Sequence, residues 1–355
     1  MIDPYQALLS GASSLLDYLS GHVVQSLVPA FLVAGAIAAF LKKEAILKYF
    51  GPTASKWIAY PLASISGTVL AVCSCTILPL FSGIYRKGSG IGPATTFLYA
   101  GPAINILAII YTAQVLGYDI GVARAMGAVI SGVAIGLLMA AIFKKDEEGA
   151  EKRTPLVSRN VAIEGDKPKW VVTSFFALMV AILVVAASQL ELALKMIALY
   201  ILTVALAIIL IYKFQREEVT EWGHETWDLT KKIMPILIGG AFLVGFIAYF
   251  LPPETFRPYL GDNSVPSVLL ASFLGSILYM PTLLEVPIIG TTFGYTAGVM
   301  AGGPALALLL SGPTISIPSL IVLYKMIGAK KTTVYFFLVA GVSALIGLVY
   351  GAVVG

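Results

Sequence analysis

Cys73 and Cys75 are the only two cysteines in 355 residues, and they stand two positions apart inside an apolar run. Two thiolates that converge on one point suit a soft, thiophilic centre such as Cu(I), Zn or a trivalent metalloid. On a regular helix, positions i and i+2 point about 200° apart, so convergence needs a turn or a break there. The alternative is that both are small buried side chains filling a tight hairpin, as free cysteine often is. A disulfide between such close neighbours fits the bond's geometry badly.

Glu285 is the second candidate. It is the lone acid in the apolar run 265–300, within YMPTLLEVPIIG. An acid at membrane depth is expensive and marks a functional site by default. It could take up a proton or counter a cation. Its bland alternative is a hairpin end that returns the carboxylate to the headgroups. Asn105 and Ser316 follow the Gly101-Pro102 and Gly312-Pro313 steps. Polar side chains beside unwound backbone either ligate a substrate or satisfy freed carbonyls, and the same pair of readings covers Thr95, Thr96, Thr282 and Thr314. His22 and His224 lie outside the apolar stretches. No Walker, Rossmann or HExxH pattern is present. The expectation is therefore no enzyme, no cofactor, no firm metal site and no ATP-driven pump encoded in this chain alone.

The elements that must position these residues are membrane spans. Apolar residues make up 58% of the chain and charged residues 12%, against roughly 25% charged in soluble proteins. Several stretches approach the roughly 20 apolar residues that cross a bilayer. The net charge of +4 comes without a basic cluster on a polar module, so it does not point to nucleic acid. The first 20 residues carry Asp3 and Asp17 and no basic n-region, so the first span is expected to act as the targeting signal.

In order, residues 1–20 read as a candidate interfacial helix or the frayed start of the first span. Apolar segments follow at 23–41, 57–84, 91–113 and 120–143, together a first membrane repeat over 21–143. Gly132 and Gly136 form a small-xxx-small pattern, which marks a packing face. Residues 144–169 form a polar linker. Two connecting spans occupy 170–212, a polar loop covers 213–232, and segments at 233–251, 265–290, 296–321 and 332–354 build a second repeat over 233–355.

The halves match. Gly67 through Pro79 aligns with Gly275 through Pro287, and GPATTFLYAGPAIN (92–105) aligns with GPALALLLSGPTIS (303–316). Glu285 takes the place of Ile77. Paired interruptions in repeated halves point to a transporter site at the repeat interface. If 57–84 and 265–290 are re-entrant hairpins, 20 of the 23 basic residues fall on one face, leaving Arg124, Lys195 and Arg257 on the other. The positive-inside rule makes the rich face cytoplasmic. The expected fold is an all-α polytopic membrane protein with about eight full spans plus two re-entrant helical hairpins, in inverted repeats with broken helices, in the inner (cytoplasmic) membrane.

The segment CSCTILPLFSGIYRKGSGIGPATTFLYAGPAIN, echoed in GGPALALLLSGPTISIPS, resembles the predicted permease family that includes the organoarsenical permease ArsP. The resemblance implies an inner-membrane permease. In the characterised branch it implies export of trivalent organoarsenicals and arsenical resistance, with Cys73 and Cys75 as soft ligands for the metalloid. No third cysteine exists, so a three-thiolate site cannot form within one protomer; a methylated trivalent species needs two or fewer. The resulting reading is a proton-coupled secondary permease. Cys73, Cys75, Gly101, Pro102, Asn105, Gly312, Pro313 and Ser316 would line the substrate site, and Glu285 would couple it to a proton. Its partners would be the bilayer and a small molecule, with a homodimer left open. The alternatives are a channel or exchanger with structural cysteines, and a membrane thiol-redox relay.

Overall fold

The computed structural model describes residues 4–18, 28–40, 49–50, 54–70, 74–144, 169–187, 191–250, 258–277, 280 and 285–354. Cys73, Thr282, Arg257 and the interior of the 144–169 linker lie outside them. The described residues form helices and turns, with no strand among them. The chain is an all-α membrane protein. Among the described residues, three helices are long and apolar enough to cross a bilayer, at Tyr118–Ile142, Ala193–Lys213 and Ala329–Val354. A fourth span is available if the pair Ile91–Ala103 and Ala108–Val115, bent by 45°, counts as one.

The first half runs α1 (Pro4–Tyr18), α2 (Val28–Phe40), α3 (Lys56–Leu70), α4 (Ser74–Arg86), α5 (Ile91–Ala103), α6 (Ile106–Val115) and α7 (Tyr118–Ile142). Two connecting helices follow, α8 (Lys169–Ala187) and α9 (Leu192–Lys213). The second half runs α10 (Arg216–Phe250) and α11 (Val265–Ile277). A short turn, Glu285–Pro287, then leads into a π-helical turn, Ile288–Thr292. After it come α12 (Gly302–Ser311), α13 (Ile317–Ile327) and α14 (Ala329–Val354).

The sequence match between the halves carries into the elements. α3, α5, α6 and α7 correspond in order to α11, α12, α13 and α14, and α4 corresponds to the segment beginning at Glu285. The packing recurs as well. α3 lies on α5 and α5 on α7; α11 lies on α12 and α12 on α14. Across the halves, α4 meets α13 and the Glu285 turn meets α6. The matched helices α7 and α14 also pack on each other. They run antiparallel: Gly127 abuts Ile346, while Phe143 lies under the Lys331 ammonium.

Two stretches differ from the sequence reading. Residues 216–232, expected as a loop, are the first turns of the 35-residue helix α10. Local and tertiary bonds support them: Lys232 pairs with Asp228 one turn away, and Trp222 Nε1 donates to Leu32 O at 2.9 Å. Thr226 sits against Gly35 of α2, so a polar face became a helix–helix contact. In the 296–321 segment, helix begins only at Gly302. Gly294 and Gly298 before it adopt φ of 78° and 70°, left-handed values that glycine tolerates and that turn the chain.

The outer surface fits lipid. On α9, Leu194, Met196, Ile197, Ile201, Ile208 and Ile211 are exposed. An apolar helix with an apolar outer face has no stable place in water.

Candidate functional site

Glu285 is completely buried within the protein. Its carboxylate Oε1 accepts a hydrogen bond from Arg124 Nη2, and the two form an ion pair in which neither side chain is exposed. Arg124 Nη1 donates to Thr112 Oγ1 at 2.7 Å, and that hydroxyl donates to Ala108 O at 2.7 Å. Three elements thus meet at one charge pair: α6, α7 and the turn of the second half. Burying two charges is costly, and the attraction offsets it only with good geometry and further hydrogen bonds. Here the pair is incompletely satisfied, since Arg124 Nε and Glu285 Oε2 make no hydrogen bond among the described residues.

Glu285 Oε2 faces the second helix break. A Cβ placed on Gly312 would stand 3.5 Å from it and 3.8 Å from Met280 Sδ. Glycine here leaves the backbone of the Gly312-Pro313 step open to the carboxylate. Gly275 of α11 presses on the same step, with its Cβ position 3.1 Å from Gly312 N.

Beside the pair lies a hydroxyl cluster. Tyr99 of α5 is fully buried and donates to Leu310 O at 3.1 Å, bonding the first half to the end of α12. Its hydroxyl lies beside Ser131 of α7 and Ser343 of α14, within electrostatic reach of Arg124 and Glu285 and close to Tyr335.

The expected site residues divide. Glu285, Gly312 and Pro313 come together. Asn105 Oδ1 accepts from Ala108 N at 3.3 Å at the start of α6, and Ser316 exchanges bonds with Ser319 in a capping box that opens α13. These matched caps fit the carbonyl- and amide-satisfying reading. Thr95 and Thr314 bond their own helix carbonyls, while Thr96 donates to Gly132 O at 3.1 Å across to α7. Gly101 and Pro102 are buried in the last turn of α5. α3 ends at Leu70 and α4 begins at Ser74. Cys75 lies in α4, and Cys73 lies outside the described residues. Among the described residues, no group of three or more His, Cys, Asp or Glu side chains is placed to hold a metal ion.

Arg124 was missed. The charge count assigned it to the outer loops, yet it is a buried partner on α7 and carries no topological information. Its signal was available: like Glu285, it is a lone charge within an apolar run. Tyr99, Ser131, Tyr335 and Ser343 carried no such signal.

A family model described as a predicted permease matches residues 8–352. The UPF0718 protein MJ0584 of Methanocaldococcus jannaschii is 41% identical over 353 residues, covering 96% of this chain and 95% of that protein. The UPF0718 protein YraQ of Escherichia coli is 23% identical over 349 residues, covering 98% of this chain and 81% of its own. No solved structure matches the chain.

Proposed function

The chain belongs to the predicted permease family, and from that premise we propose that it is a secondary-active exporter of a small soft solute, such as a trivalent organoarsenical, coupled to protons through Glu285. The observation that carries this reading is the buried Arg124–Glu285 pair. It bridges the two halves beside the Gly312-Pro313 step. While Glu285 is charged, the pair holds the π-turn segment against α6 and α7. A proton on the carboxylate removes the charge–charge attraction and leaves Arg124 free to face an incoming group. The two halves can then rock apart. Substrate binding and proton binding compete for one carboxylate, which is the minimal requirement for exchange.

The repeat arrangement supports alternating access. Matched helices that run antiparallel are what inverted repeats produce. The lysines support the sidedness, while Trp and Tyr gather at both membrane interfaces. Trp57, Trp170, Tyr212 and Tyr324 are exposed near helix ends, and Trp227 is exposed within α10. Lys213 lies over Trp170 and Lys231 over Trp227. Such residues gather at the membrane interface, and we place this face in the cytoplasm of the inner membrane. Reporter tags at residues 88 and 155 are expected to share that side. A tag at 88 outside with one at 155 inside sinks the hairpin topology.

The functional test is uptake of a methylated trivalent arsenical into everted membrane vesicles, with and without a proton gradient. Wild type is compared with Cys73→Ser, Cys75→Ser and Glu285→Gln. The expected result is gradient-dependent uptake in the wild type, lost in each cysteine variant and uncoupled in Glu285→Gln. Uptake no greater than in empty vesicles removes the soft-ligand reading. Uptake retained in both serine variants makes the cysteines structural.

A further inference from the structure

Where α4, α10 and α13 meet, a cavity of about 640 Å³ opens on the face that carries the lysines of α10 and α13. Each helix turns one stripe toward it. α4 supplies Ser82, Tyr85 and Arg86; α10 supplies Leu229, Lys232, Ile233 and Ile236; α13 supplies Val322, Lys325 and Met326. Residues three and four apart share a helix face, so each of the three stripes brings one cation to the cavity wall. Lys231 of α10 adds a fourth at the rim. Lys331 of α14, which donates to the Tyr85 hydroxyl at 3.1 Å, adds to the same field.

The charges do not balance. Arg86 reaches Glu225 at 3.4 Å and Asp228 at 3.8 Å, and Asp228 also takes Lys232 at 2.7 Å. Among the described residues, Lys231 and Lys325 pair with no carboxylate. Four wall cations thus face two acids, and the mouth is positive. Lysines at a membrane face commonly just reach for water; here they surround a cavity with an apolar floor. Lys231, Lys232 and Lys325 at the rim are exposed, whereas Leu229, Ile233 and Val322 beneath them are buried. The volume falls within the roughly 300–1,000 Å³ of whole-ligand sites. An inorganic anion would use the rim alone; a ligand with an anionic head and an apolar body uses both. Trp227 and Tyr324 stand exposed on α10 and α13 beside the mouth. Such side chains sit at headgroup level, where the phosphates of the bilayer lie.

We propose that this cavity binds the headgroup of an anionic phospholipid, its phosphate held among Lys231, Lys232, Lys325 and Arg86 and its glycerol and first acyl carbons laid against Leu229, Ile233, Val322 and Met326. Basic pockets between membrane helices take anionic headgroups in this way. The site is built from both halves, since α4 belongs to the first and α10 and α13 to the second. A lipid seated there ties them together and stabilises the arrangement that forms the pocket, as any ligand stabilises the state that binds it. The site stands apart from the transport reading; only its assignment to the cytoplasmic leaflet rests on the sidedness proposed above.

The test is the melting temperature of the purified full chain in neutral detergent, titrated with dioleoylphosphatidylglycerol or dioleoylphosphatidylcholine. The anionic lipid is expected to raise it by several degrees and the zwitterionic lipid to leave it unchanged. Equal shifts overturn the site. Glycerol 3-phosphate is the soluble arm: a shift as large as that of the anionic lipid overturns the lipid assignment in favour of a soluble phosphate compound. Lys231→Gln with Lys325→Gln alters two exposed side chains that make no ion pair, so it should melt with the wild type when lipid is absent and lose most of the lipid shift. Lys213→Gln with Lys330→Gln removes the same charge away from the cavity and should keep the shift. Equal losses in the two double variants show attraction to the surface at large and overturn the pocket. Ile236→Trp fills the cavity and leaves all four cations in place. It should lose the shift as well, and a full shift there shows that the lipid binds elsewhere.

Discussion

Arg124→Ala is expected to produce the largest loss of any single side-chain truncation in this protein. It leaves the Glu285 carboxylate buried with no countercharge, and removing one partner of a buried pair costs about 3–5 kcal/mol. Native proteins are stable by only about 5–15 kcal/mol in total. The purified variant should melt far below the wild type and yield little protein. Glu285→Gln should be milder, because an amide oxygen still accepts from Arg124. The decisive comparison is the double variant Arg124→Leu with Glu285→Leu. Apolar replacements of a buried pair often restore stability, so this variant should fold well and still fail to transport. If Arg124→Ala melts with the wild type, the pair does not hold the halves together. If the double leucine variant transports normally, the pair has no part in the cycle.

How far the sequence disclosed this site depended on the kind of signal each residue sends. Glu285 was legible because a charge in an apolar run is anomalous wherever it falls. Arg124 sends the same signal, yet it was read through the positive-inside rule. That rule assumes a basic residue near a span's end reaches water, and it has no term for a partner 161 residues away. The repeat was legible through paired Gly-Pro steps, and its helices follow the alignment element by element. The helical start of α10 was not legible. Its polar composition says loop, and only the fit of Thr226 and Trp222 against α2 makes it helix. Asn105 and Ser316 were visible as polar positions, but polarity alone does not separate a ligand from a cap. Ser131, Ser343 and Tyr335 were invisible for a further reason. Serine and tyrosine are common in membrane helices, and the burial of a hydroxyl among other helices is a property of the fold.

Substituting Gly136 by alanine is expected to damage the protein nearly as much as losing Arg124, with no charge involved. A Cβ at Gly136 would coincide with Thr96 Oγ1 and stand 2.8 Å from Gly92 O, which belongs to the backbone of α5. Backbone cannot rotate away as a side chain can. The contact is reciprocal, since a Cβ at Gly92 would lie 2.9 Å from Gly136 O. Here α5 and α7 touch main chain to main chain, the arrangement small residues permit in membranes. Neighbouring glycines provide the controls. Gly132, in the same small-xxx-small pattern, would place its Cβ 3.4 Å from Tyr99 Cδ1, an ordinary contact at its tight limit, so Gly132→Ala should be nearly neutral. Gly341 of α14 has nothing within 4 Å. Its alanine variant should gain about 0.5–1 kcal/mol from reduced backbone freedom in a helix. The expected order of melting temperature is Gly341→Ala, then Gly132→Ala, then Gly136→Ala well below both. A Gly136→Ala protein that melts with the Gly341→Ala variant would refute the close approach. The consequence reaches the site: α5 carries Tyr99, and α7 carries Arg124 and Ser131. Any side chain that separates these helices also separates Tyr99 from the ion pair and from Ser131. Gly136→Ala protein that does fold should therefore lose coupling before it loses membrane insertion.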